Sequence, residues 1–246
     1  MRYELMLPHQ IRTAIDQHWP IVLPLGVLEY HGEHLAVGLD TLVVLRILEK
    51  LEKDMNLVIL PPFYYGAGSY AVEPPERKGT VQVDTDALVP FAMHLFRSLL
   101  RIGFRNIHAV IHHQSENFVD GMPTDLSFKL AGRRATFDHL LAERGEGWWG
   151  KSGMADYYSQ HEHDGNPFNW VRVHPLMDQR IIEQYDFDHA GVGETSLLMA
   201  LDPSGVDMDK LSTEKWYLAS AARASVEHGR RAVDMILERM RTVLSS

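Results

Sequence analysis

Apolar positions along the chain fall into two alternating patterns. "IVLPLGV", Ile21 to Val27, is a short continuous apolar run rich in β-branched residues. It predicts a core strand that ends in a glycine-bearing turn. "TLVVLRILEKLEK" follows, with Leu42, Leu45, Leu48 and Leu51 at helical spacing, and predicts a helix over Thr41–Asp54. The alternation then repeats. "NLVILPP" near Asn56–Pro62 predicts a second strand, "GTVQV" at Gly79–Val83 a third, and "DTDALVPFAMHLFRSLLRIG" the helix after it. "NIHAVIHH" from Asn106 predicts a fourth strand, followed by a helical stretch over about Phe118–Leu130. In the stretch from Ser212, Val226, Val233, Ile236, Leu237 and Met240 share one helical face, which predicts a terminal helix packed on the sheet. Strands and helices in this order predict an α/β fold with a mainly parallel sheet.

One segment departs from the pattern. Arg144 to Trp170, "RGEGWWGKSGMADYYSQHEHDGNPFNW", mixes glycine, aromatic residues and histidine without a period. It reads equally as a lid or substrate wall and as an aromatic oligomer contact. At 246 residues and 45% apolar content the chain is long enough for one large-cored domain over 1–246.

The net charge of −9 argues against nucleic acid as the main partner. No apolar run reaches the length of a membrane span, and "MRYELMLPHQ" lacks the features of a secretory signal. The absence of cysteine excludes disulfides and thiolate zinc sites and fits a reducing cytoplasm, the expected location. Any metal must therefore be held by His, Asp and Glu.

"LEYHGEHLAVGLD", Leu28 to Asp40, falls between the first strand and the first long helix, with Asp40 where a helix N-cap is expected. In an open parallel sheet such loops lie at the carboxyl ends of the strands, where ligands bind. Glu29 and His31 are two residues apart, so in an extended segment both project to one side. With Asp40, whose two oxygens can bridge two ions, they suit zinc, manganese or a related divalent metal. Taken alone, the same residues are better read as a capping aspartate and a turn-bonded histidine. Two further clusters shift the balance. "VIHHQSEN" brings His112, His113, Glu116 and Asn117 to the same sheet edge, and "YDFDHAGVGETS" brings His189 and Glu194 in a Gly-rich loop before an apolar helix. Three loops converge on one edge, and a metal site becomes the better reading.

At these residues the sequence resembles the creatininase family of metal-dependent amidohydrolases. The family signature E-x-H-G-x-H-L-P, with a later Asp, reads here as Glu29-Tyr30-His31-Gly32-Glu33-His34-Leu35-Ala36 with Asp40. "PPFYYGAGS" and "KGTVQV" are similar to the family's P-P-x-x-Y-G-x-S and G-T segments, which puts Ser69 on the substrate side. "HAGVGETS" matches H-A-G-x-x-E-T-S and carries His189 and Glu194. The resemblance implies a three-layer α/β/α sandwich, often hexameric, holding two divalent ions (zinc and/or manganese, or iron) bridged by an aspartate and water. By position, Glu29 and Asp40 with an imidazole would hold one ion, and His31 and Asp40 with a further carboxylate the other. His189 matches a histidine assigned to proton transfer, with Glu194 beside it in the same catalytic motif. Tyr185 and Asp186 stand where creatininase has a Trp-Asp pair at the substrate.

The central loop departs from the family's N-G-H-G-G-N and reads Ile111-His112-His113-Gln114-Ser115-Glu116-Asn117. Matching from "GFRNI" puts His113 on the ligand histidine, whereas matching from "EN" puts Gln114 there. An imidazole is the better ligand, which favours His113, and Glu116 or Glu194 then supplies the second carboxylate.

The implied activity is metal-dependent hydrolysis of a non-peptide C–N bond in a small amide, cyclic or linear. A metal-activated water would attack and His189 would protonate the leaving nitrogen. Trp148 and Trp149, with their aromatic neighbours, would line a flat pocket for such a substrate. Two alternatives stand beside it: a formamide deformylase or peptidase-like member of the family, and a non-catalytic paralogue that has lost one metal through the altered loop.

Overall fold

Four strands form one parallel sheet in the order β2–β1–β3–β4. In the computed structural model, which describes residues 1–113, 118–160 and 166–245, these are β1 (Ile21–Leu25), β2 (Val58–Ile59), β3 (Ile107–Ile111) and β4 (Val171–Pro175). Ile21 pairs with Ile107 and Leu25 with Ile111, so β1 and β3 end level. The helices are α1 (Pro8–Asp16), α2 (Leu39–Leu51), α3 (Thr85–Ile102), α4 (Pro123–Arg144), α5 (Tyr157–Gln160), α6 (Gln179–Gln184), α7 (Val192–Leu201) and α8 (Val226–Leu244).

Alternation along the strands divides the core into two layers, because successive strand residues point to opposite faces. Val22 and Val110 face α2, α7 and α8, where they meet Leu48, Leu198 and Ile236. Ile21, Leu23, Ile107 and Ala109 face α1, α3 and α4, where they meet Ala14, Phe96 and Phe128. With both faces covered, β1 and β3 are buried along their whole length, and their sequences are continuously apolar. The α/β/α sandwich is therefore as expected.

Local differences have local causes. Gly79–Val83 is not a sheet strand; it makes only isolated bridges, Val81 to Leu28 and Gln82 to Gly66, after a turn with Gly79 at φ +87°. The fourth strand is instead Val171–Pro175, an edge strand whose Arg172 and His174 interrupt the apolar run. β2 is short because Pro61 and Pro62 lack the N–H groups a longer ladder needs. The helix after β3 begins at Pro123, not Phe118, with Pro in its first turn and the Met122 N–H donating to Asp125 Oδ1 at 2.6 Å. α8 packs chiefly on α7 rather than on the sheet. The two helices pass closely at Gly229, where a Cβ would overlap the Ser196 carbonyl oxygen.

β3 and β4 also carry a buried histidine pair. His108 donates from Nε2 to Asn106 Oδ1 at 2.7 Å, which leaves its Nδ1 to accept from His174 Nε2 at 3.0 Å. The His108 ring is thus neutral. Burial, followed by the positive charge of Arg239 and Arg172, lowers His174 to about 3, and burial likewise holds His108 well below its ordinary value. In the unfolded chain both take up protons near pH 6.5. Stability is therefore fully present above about 6.5 and is lost as pH falls towards the folded values. Thermal melts followed by circular dichroism should show Tm falling between about pH 6.5 and 4, with a shallower slope in His174→Gln. An unchanged slope in that variant would remove the pair from the acid response.

Candidate metal centre

Three chain segments meet at the carboxyl ends of β1 and β3. The first is the loop after β1. The Glu29 N–H donates to the Val37 carbonyl at 2.9 Å and the Tyr30 N–H to Thr80 Oγ1 at 3.0 Å, which ties the loop down on both sides. Gly32 sits at φ +81°, and a Cβ there would press on the His34 ring, so the turn needs glycine. Asp40 lies inside the first turn of α2, whose N-cap is Gly38. The second segment is His113, just beyond β3. The third is Glu194, in the first turn of α7. Asp40 and Glu194 thus both sit at helix N-termini, where the helix dipole favours negative charge.

Side chains converge here with exposures of 1–2% for Glu29, His31 and Asp40. His31 Nε2 lies 3.4 Å from Asp40 Oδ1 and 3.5 Å from Glu194 Oε2. His113 Nδ1 lies 3.2 Å from Asp40 Oδ2 and 3.5 Å from Glu29 Oε2. Two overlapping donor groups result: Glu29–Asp40–His113 and His31–Asp40–Glu194, each with its donor atoms within 4.8 Å of one another. Asp40 belongs to both and turns one oxygen towards each imidazole. A third grouping, Glu29–His31–His189, shares their edge.

The donors face one another without bonding one another. Glu29 Oε1, His31 Nε2 and Asp40 Oδ2 are buried and have no hydrogen-bond partner among the described residues. Three carboxylates buried this closely repel unless a cation or protons lie between them. Burial pushes Glu29 up to about 7. Burial opposes charge on His31, but the Asp40 and Glu194 carboxylates outweigh it and hold His31 at about 10. Without a cation, protons take its place. A set of carboxylate and imidazole donors fits divalent zinc or manganese, and the two groups fit two such ions.

The surrounding bonds orient these donors. His31 donates from Nδ1 to the Glu29 carbonyl at 3.0 Å, which turns the Nε2 lone pair inward. Glu194 Oε1 lies 3.1 Å from His112 Nε2, and Oε2 accepts from the Ala190 N–H at 2.7 Å. The Asp188 carboxylate accepts the N–H groups of Gly193 and Glu194 at 3.1 and 3.2 Å, fixing the start of α7. Gly193 passes so close to the Asp186 carbonyl that a Cβ would overlap it. His34 Nε2 meets Thr195 Oγ1 at 3.0 Å, joining the first loop to the same helix.

His189 differs from the other histidines. Its Nε2 donates to the Tyr30 carbonyl at 3.1 Å, and its Nδ1 stands 3.8 Å from Glu29 Oε2. Its side chain is 26% exposed, enough to be reached from the cavity. Burial and then the charge of His31 lower its pKa, so the neutral ring dominates near pH 7. A cavity of about 550 Å³ opens over the cluster, walled by Ile182, Phe187, Asp188, Trp216, Tyr217 and Ser220.

Of the residues singled out in the sequence, the structure brings together Glu29, His31, Asp40, His113, His189 and Glu194. Glu116 lies outside the described residues. Tyr185 is behind the wall: its hydroxyl donates to the Gly193 carbonyl at 2.7 Å and its ring stacks on His228. Asp186 points to His228 at 3.3 Å, and Ser69 is buried without lining the cavity. Trp148 packs in the core layer beneath α4, and Trp149 flanks a separate apolar hollow with Phe137, Leu141 and Phe168. Phe187, Asp188, Trp216 and Tyr217 were not legible as site residues. Asp188 carried a weak signal, an acidic residue just before a helix start; Trp216 and Tyr217 carried none.

Known proteins share this frame. A family model described as "Creatininase: Creatinine amidohydrolase" matches residues 4–244. The creatinine amidohydrolase of Pseudomonas putida is 24% identical over 196 residues, which are 78% of this chain and 67% of that one. The 3-dehydro-scyllo-inosose hydrolase of Thermotoga maritima is 27% identical over 118 residues, 48% of this chain but only 37% of its own length. A solved structure named "Creatininase Mn" superposes with a TM-score of 0.70 at 20% identity, covering 99% of this chain and 96% of that one, and so shares the fold. With the family match spanning nearly all of its length, the chain belongs to the creatininase family of hydrolases.

Proposed function

We propose that the chain is a two-cation amidohydrolase that cleaves a non-peptide C–N bond in a small amide. The observation that carries this reading is Asp40, whose two oxygens stand 3.4 and 3.2 Å from different imidazoles inside two donor groups. Glu29, Asp40 and His113 would hold one ion, and His31, Asp40 and Glu194 the other. When bound, two such ions supply Lewis acidity and bring the pKa of water from ~16 towards ~7. The relatives named creatinine amidohydrolase and "Creatininase Mn" support the amide substrate and a divalent metal such as manganese; zinc suits the same donors.

The chain's own residues do the rest. His189 turns Nδ1 to the cluster while Nε2 is fixed on the Tyr30 carbonyl, so one nitrogen is free to take a proton and pass it to a leaving nitrogen. Phe187, Trp216 and Tyr217 form an apolar wall that suits a compact, flat substrate and excludes water from one side. The cavity's volume suits a small molecule better than a folded partner. Self-association belongs to the same reading: Leu126, Leu130, Phe137 and Leu141 form an exposed apolar stripe along α4.

The test is a substrate panel with protein stripped by chelator and reloaded with manganese or zinc. Creatinine and other cyclic amides, linear formamides and short peptides are compared by product analysis. The expected result is metal-dependent opening of a small ring, giving one product. Release of formate or of an amino acid would favour the deformylase or peptidase alternatives. No turnover in either metal form would overturn the reading.

A further inference from the structure

Glu194 is anchored at its backbone by Asp188, but its carboxylate needs separate control. The side chain has three rotatable bonds and must present Oε2, not Oε1, to His31 and Asp40. Two donors set it. The Ala190 N–H reaches Oε2 at 2.7 Å from one side, and His112 reaches Oε1 at 3.1 Å from the other. A carboxylate oxygen only accepts, so His112 Nε2 carries the hydrogen. His112 is fully buried one residue beyond β3, and its ring packs edge-on against Phe187. Its Nδ1 has no hydrogen-bond partner among the described residues. His112 and His113 are adjacent just beyond β3 and turn to different partners. His113 addresses Glu29 and Asp40, while His112 addresses Glu194.

We propose that His112 is a positioning residue, whose Nε2–H holds Glu194 as the third donor of the His31–Asp40–Glu194 site. It rests on the two-cation reading above and adds that one residue of the β3 loop controls one of the two sites selectively. Loss of such an orienting bond typically lowers metal affinity by about 10–100-fold. The Glu29–Asp40–His113 site does not use His112 and should keep its affinity.

The experiment is manganese titration of chelator-stripped protein by calorimetry, with elemental analysis after dialysis, on wild type, His112→Gln and His112→Asn. Glutamine can carry an amide N–H out to Glu194, whereas the shorter asparagine cannot; the two are otherwise alike in polarity. Circular dichroism melts of the metal-free proteins check that all three fold. Wild type and His112→Gln should each bind two ions with similar affinities. His112→Asn should bind one ion as before and the second about 10–100-fold more weakly. Two ions bound equally well by all three proteins would overturn the role of His112 while leaving the two-cation reading intact. Equal weakening in both variants would make His112 a packing residue only. Fewer than two ions in wild type would overturn the two-cation reading itself.

Discussion

Asp40→Ala should bind neither cation and lose all hydrolytic activity, yet remain folded. The two donor groups that share Asp40 both lose it, leaving Glu29 with His113 and His31 with Glu194, two ligands apiece. Two protein ligands are too few for a zinc-type site, which takes three or four. The helix itself should survive. α2 has Gly38 as its N-cap and no side-chain cap bond, so removing Asp40 takes away a charge but no capping interaction. The metal-free variant should therefore melt close to the metal-free wild type. Elemental analysis after reconstitution, read beside a melting curve, checks both halves. A folded variant that still holds two ions would sink the bridging role.

The second large effect is expected at His189. In His189→Gln the amide can keep the bond to the Tyr30 carbonyl, but nothing at its other end can exchange a proton. Loss of general acid–base catalysis typically costs about 10²–10⁴ in kcat, with KM little changed. Both ions should remain. That last point separates two roles, because His189 also stands in a donor group with Glu29 and His31. If kcat falls and an ion is lost with it, His189 is a ligand rather than a proton carrier. If kcat is unchanged, it is neither.

How much of this was legible in the chain depended on what each residue had to satisfy. β1, β3 and α2 were readable because both sheet faces are covered and the burial pattern reaches the sequence directly. Glu29, His31 and Asp40 were readable because the i, i+2 spacing and the helix start fix their directions locally. β4 was not, because an edge strand tolerates Arg172 and His174. Between Glu116 and Glu194 the sequence could not choose. Glu194 reaches the cluster only because Gly193 allows close passage to Asp186 and Asp188 holds the start of α7, contacts that no local pattern encodes. Tyr185 illustrates the converse. Its place in a motif suggested the substrate, but its hydroxyl serves the Gly193 carbonyl behind the cavity wall.

The number of divalent ions per chain, measured by elemental analysis on wild-type protein as purified and after stripping and reloading with manganese or zinc, tests the central claim most directly. Two per chain is the predicted result, from two donor groups that share Asp40. One per chain, or none after reloading, would contradict it.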